Sequence, residues 1–156
     1  MAALDLLIKA LDTTVWELGE AFKGLPDAEV WKRPHPRLLS IGELAAHIGY
    51  WEGKSFFGDA FESRLATPAA RYYTPNIAEQ FELPMGGEEL YNEIRRIHDA
   101  CKESFMVNPK DSEDPNPNRG DWTWGFTIEY QVFHIAYHTG QIYSVRHLLG
   151  HATVDN

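Results

Sequence analysis

Apolar residues recur along this chain at alternating steps of three and four, the spacing that puts side chains on one face of an α-helix. Leu4, Ile8, Leu11, Val15, Leu18 and Phe22 make the first seam, which Gly24 and Pro26 end. Ser40-Ile-Gly-Glu43 has the spacing of a capping box, so a second helix starts there, carries Leu44, His47, Ile48, Trp51 and Ser55 on one face, and fades near Ser63. Leu90, Ile94, Ile97, Cys101 and Phe105 give a third helix from Glu88 to about Met106. Gln131, His134, His138, Gln141, Val145 and Leu148 give a fourth from about Thr123 to Leu149, with Asp121, Thr123 and Thr127 as alternative N-caps.

Between the seams the chain is punctuated by proline. Pro26, Pro34 and Pro36 flank Trp31, whose indole is expected to cover one end of the core. The stretch from Arg64 to Gly87 holds Pro68, Pro75 and Pro84 without a sustained period, which predicts a long crossover that lets the third helix run parallel to the second. Strand signals are nearly absent. The expectation is an all-α four-helix bundle, a single domain over residues 1–156, in which facing helices build any internal site.

Composition narrows the function classes. The formal charge of −9 opposes adsorption to phosphate backbones or anionic lipid, so neither nucleic acid nor membrane is expected as a partner. One cysteine, Cys101, rules out an intrachain disulfide and suits a reducing cytosol; it occupies an apolar helix position without an evident base nearby. No run of 18 apolar residues occurs, and the first residues lack a basic leader, so a cytoplasmic protein is expected.

The candidate chemistry is histidine. His134 and His138 stand four apart and project from one helix face, and His47 lies on the inward stripe of the second helix. Three inward imidazoles from two helices read either as metal ligands or as core histidines bonded to carbonyls or carboxylates. Ile135 follows His134, so the zincin pattern of His-Glu-x-x-His is absent. Three imidazoles would leave coordination positions open for water or substrate. Gln141 and Glu43, each one turn from a histidine, could orient an imidazole, although Glu43 also belongs to the capping box, which is the favoured reading. Tyr50, Trp51 and Tyr137 are placed to line the open side or simply to fill core. His35, His98, His147 and His151 read as surface or loop groups.

Ser40-Ile-Gly-Glu-Leu-Ala-Ala-His47-Ile-Gly-Tyr-Trp-Glu52 together with His134-x-x-x-His138-x-Gly140-Gln141-Ile142, followed by Arg146 and Leu149-Gly150, resembles the DinB-like or YfiT-like superfamily of four-helix-bundle metalloproteins. The resemblance covers nearly the whole chain. It implies a divalent metal, nickel or zinc first, held by His47, His134 and His138, an up-down-down-up bundle and a homodimer. The family is similar to transferases that use low-molecular-weight thiols such as bacillithiol or mycothiol, and to maleylpyruvate isomerase. A metal-dependent transferase or hydrolase acting on a small molecule is therefore expected, with a non-catalytic metal- or ligand-binding bundle as the other class. Ile135 departs from the family pattern, in which an acidic residue often follows the first histidine.

Overall fold

The computed structural model of the protein describes residues 2–71 and 79–153, the side chains at 2 and 3 aside. Among the described residues five α-helices follow in order: α1 Ala2–Phe22, α2 Asp27–Val30, α3 Ile41–Phe57, α4 Gly87–Val107 and α5 Trp124–Leu148. Among the described residues there is no strand, only an isolated bridge between Pro115 and Thr123. No helix among them is long and apolar enough to cross a membrane.

Local chemistry sets the helix ends. Gly24, at φ 68°, turns the chain after α1 at the cost of no Cβ clash. Ser40 caps α3 through a complete capping box, its side chain accepting from the Glu43 amide while Glu43 accepts from the Ser40 amide. Glu43 also takes two hydrogen bonds from Arg33, at 2.6 and 2.8 Å, so its carboxylate is spent at the helix start and does not turn toward His47. The second helix ends at Phe57, earlier than the expected Ser63, because Gly58 at φ 57° breaks the α geometry into a 3-10 turn over Gly58–Ala60. Thr123 is the cap of α5, its hydroxyl accepting from the Phe126 amide. The crossover from 64 to 87 contains a second 3-10 turn, Pro68–Arg71; positions 72–78 of it lie outside the described residues.

Each long helix packs against two others, α1 on α5 and α4, and α3 on α4 and α5. Specific pairs give the register. Asp12 of α1 meets His98 of α4, and Val15 accepts from Tyr91. Along α3, Gly49 lies against Ile94 and Ile97, and further on Phe56 meets Phe105. Across to α5, Phe56 meets Trp124, Ser55 meets Gln131 and His47 meets His134. Glu17 and Ala21 of α1 meet Tyr143 and Arg146 of α5.

The core runs through all four long helices, with Leu11, Leu18, Ile41, Ile48, Leu90, Ile94, Ile128, Ile135 and Ile142 fully buried. Trp31 closes one end, donating its indole N–H to the Met85 carbonyl at 2.7 Å and lying against Gly42, where any side chain would collide with it. One inward assignment fails: Leu148 is 64% exposed, and Ile142, Val145 and Arg146 are the buried residues at that end of α5. A strict three-four alternation averages 3.5 residues per turn and drifts about 20° per heptad on a straight helix, which carries the last member of the seam out of the core.

Candidate metal centre

The histidines of the site come from the two helices that face each other across the core. His47 sits in α3, where 14 residues are buried, and His134 and His138 are successive turns of α5. Their ligand atoms lie within 4.8 Å of one another, and the Nε2 atoms of His47 and His134 are 3.1 Å apart. The ring centroids are separated by 4.9, 4.9 and 4.6 Å.

The opposite ring nitrogens fix the tautomers. His47 Nδ1 is 3.0 Å from the Ala70 carbonyl, which can only accept, so Nδ1 carries the proton and Nε2 keeps its lone pair. His138 Nδ1 is 2.6 Å from Gln141 Oε1, with the same consequence. This is how ligating imidazoles are oriented by outer partners. His134 Nδ1 is buried and has no hydrogen-bond partner among the described residues. Two ligands at about 2.0–2.1 Å from a tetrahedral ion stand roughly 3.3 Å apart, close to the His47–His134 spacing. The donor set therefore fits a divalent cation.

Electrostatics agree with neutral ligands. Burial, helped by the His138 charge, pushes His47 down to about 4. His134 falls to about 2, through burial first and then His138, His47 and Arg119. Burial lowers His138 as well, against the opposing bond to Gln141. Imidazoles that stay unprotonated in acid keep their lone pairs for a metal.

Tyr137, Trp51 and Tyr50, the other side chains expected at the site, have different surroundings. Tyr137 is 54% exposed, with its ring 5.1 Å from that of His138, and its hydroxyl accepts from Gln141 Nε2 at 3.4 Å. Trp51, one turn beyond His47, donates to the Arg71 carbonyl at 2.9 Å. Tyr50 is buried edge-on against Trp51 and Phe61, more wall than ligand. Ile135, which follows His134, is fully buried and fills core.

One assignment is overturned. His98 is a buried residue, 4% exposed, and not a surface group. Its Nδ1 is 2.7 Å from Glu52 and its Nε2 2.7 Å from Asp12, which also binds Lys102 at 2.6 Å. Burial works against charge here, but hydrogen bonds and charges of Glu52 and then Asp12 outweigh it and raise the imidazole's pKa. His35 and His147 are exposed and His151 half-buried. Cys101 is buried beside this cluster, and burial, then the Glu52 charge, drives its thiol pKa well up, so it is no nucleophile. Arg119 also stands near this centre, its guanidinium carbon 5.1 Å from the Trp51 ring centroid and 4.0 Å from that of Trp122; a loop arginine without helical period gives no sequence signal.

A family model described as the DinB superfamily matches residues 10–142, a span that includes α3, α4, the three histidines and most of α1 and α5. The chain belongs to the DinB superfamily. Neither a curated protein nor a solved structure matches it.

Proposed function

We propose that this DinB-superfamily chain is a metal-dependent enzyme that acts on a small molecule at His47, His134 and His138, as a thiol-dependent S-transferase or a hydrolase. The observation that carries the reading is the convergence of three imidazoles whose burial keeps them neutral, two of them with Nδ1 already engaged so that Nε2 points at a common centre. Nickel or zinc suits this donor set. When bound, the ion supplies Lewis acidity toward a thiolate or a water. His47 and His134 hold it from the buried side, and half-buried His138 stands toward solvent, leaving that side for substrate. The thiol comes from the resemblance alone.

An up-down-down-up bundle is supported by the pairings along the helices: numbers rise together between α3 and α4 and between α1 and α5, and run oppositely between α1 and α4 and between α3 and α5. We also place the protein in the cytoplasm and read it as a homodimer, for which Phe126, Phe133 and Tyr137, exposed along α5, offer an apolar face. That face, which reaches His138, is also what favours the second reading, a non-catalytic dimeric bundle that binds metal or ligand.

Elemental analysis of protein purified without a metal-affinity tag, followed by a screen of small thiols against electrophiles, tests the proposal. Stoichiometric metal with metal-dependent conjugation or hydrolysis is expected. Bound metal without turnover would favour the non-catalytic bundle, and failure to take up either nickel or zinc would sink both. Light scattering at micromolar concentration should give twice the 17.8 kDa chain mass.

A further inference from the structure

His134 differs from the other two histidines of the candidate centre. His47 and His138 each hold Nδ1 against an acceptor, the Ala70 carbonyl and Gln141 Oε1, whereas His134 Nδ1 is buried and has no hydrogen-bond partner among the described residues. The other nitrogen of His134 is engaged: Nε2 stands 3.1 Å from His47 Nε2, a hydrogen-bond distance. His47 carries its proton on Nδ1, so its Nε2 offers only a lone pair, and two lone pairs at this distance would repel. The proton between the rings therefore belongs to His134 Nε2.

That tautomer joins the two rings but cannot ligate a cation through Nε2, because a nitrogen that carries hydrogen has no lone pair to give. One turn earlier on α5, Gln131 is fully buried, and its Nε2 donates to the Trp51 carbonyl at 3.4 Å and to Ser55 Oγ at 2.9 Å. A carbonyl can only accept, which fixes the orientation of the amide and makes Oε1 its acceptor end. Gln131 Oε1 is buried and has no partner among the described residues. Positions three apart on a helix are neighbours on one face. Within one turn, α5 thus carries two buried acceptors without a hydrogen-bond donor among the described residues, an uncommon arrangement in a protein interior. A proton on His134 Nδ1 would satisfy both.

We infer that His134 changes tautomer when the centre takes its cation: one proton leaves Nε2, one arrives at Nδ1, and Gln131 Oε1 accepts the new N–H, with or without a water between them. The ring stays neutral throughout, so no net proton passes to solvent. Gln131 is a positioning residue that acts through His134, as the Ala70 carbonyl acts through His47 and Gln141 through His138. The inference deepens the proposed function and rests on the metal-centre reading for the switch, but not for the tautomer of the metal-free protein.

The test is heteronuclear NMR of the histidine rings in metal-free and zinc-loaded protein at one neutral pH, where the shifts of the ring nitrogens tell a protonated nitrogen from a bare one. Metal-free protein should carry the proton of His134 on Nε2 and that of His47 on Nδ1. Zinc should move the first to Nδ1 and leave the second in place. Gln131→Met, which keeps the length of the side chain and removes the acceptor, should weaken zinc binding about 10- to 100-fold in competition with a chelator. Ser55→Ala takes away a partner of the Gln131 amide nitrogen but not the acceptor, and should leave zinc affinity nearly unchanged. Should Gln131→Met lose helix by circular dichroism, the wild-type spectra still decide. A His134 proton on Nδ1 without metal, or on Nε2 with zinc bound, would overturn the inference while leaving the metal centre standing. So would zinc affinity untouched by a folded Gln131→Met, or lowered as much by Ser55→Ala. Failure to take up zinc would bring down the metal centre and the switch with it, with the metal-free tautomer unaffected.

Discussion

His47 and Glu52 stand five positions apart on α3, about 140° around its axis, and each leads into a different cluster of buried imidazole. On one side His47 joins His134 and His138, with His47 Nδ1 on the Ala70 carbonyl and His138 Nδ1 on the Gln141 side-chain amide. On the other, Glu52 holds His98 against Asp12. Exposure is nearly the same, 7% for His47 and His134 and 4% for His98, yet the pKa falls in the first cluster and rises in the second. Burial alone therefore does not decide what a core histidine becomes. Neutral acceptors leave desolvation in command and yield a lone pair for a cation, whereas carboxylates overcome it and make the imidazole itself the cation.

Separating the two clusters by mutation should have its largest effect on metal. His134→Ala or His47→Ala should weaken zinc or nickel binding by more than the 10- to 100-fold typical of an outer partner, while His98→Ala keeps the stoichiometry; calorimetry and elemental analysis read both. A His98→Ala protein that lost its metal would mean the clusters are not independent.

Stability should show the opposite order. His98→Ala leaves Glu52 buried, with one oxygen already lacking a partner among the described residues, and breaking such an arrangement costs about 3–5 kcal/mol. Urea unfolding of metal-free protein should show that loss in full, and a clearly smaller one for His47→Ala; equal losses would erase the distinction drawn above.

Gln141→Ala sharpens the first cluster without dismantling it. It removes the acceptor at His138 Nδ1 and should weaken metal binding about 10- to 100-fold with little change in the unfolding midpoint of the metal-free form.

The smallest effect is in the pH profile of metal-free stability. The raised pKa of His98 gives a contribution fully present below the unfolded value of about 6.5 and lost as pH rises through the folded one. His47 and His134 act the other way. Their folded values of about 4 and about 2 let the unfolded chain bind protons first, so they subtract stability as pH falls below about 6.5. His98→Asn should flatten the alkaline limb and leave the acid limb in place, as followed by thermal unfolding.

The helices and the histidine triad were legible because both depend on local spacing. Ser40 and Glu43 announce α3 within four residues, and three- and four-residue steps put His47, His134 and His138 inward. His98 was not legible. It directly follows Ile97, so either side of that stripe could have held it, and its partners lie 46 and 86 positions away. Gln141, also assigned to the seam, is only half-buried and owes its place to His138 beside it. Arg119 depends on two indoles brought together by the loop and α3, which no period along the chain encodes.

The burial of every residue of α3 from Ile41 to Tyr50 has a kinetic consequence. Glycines at 42 and 53 let Trp31 and Phe61 close on it, so its backbone amides meet solvent only when neighbouring helices part. Deuterium would enter this helix last, at the rate of global opening, whereas α5 shows water an aromatic outer face. A metal spanning the two would thus have one ligand anchored in the slowest-exchanging element and two in a helix free to breathe, so that loss of the ion begins on the α5 side.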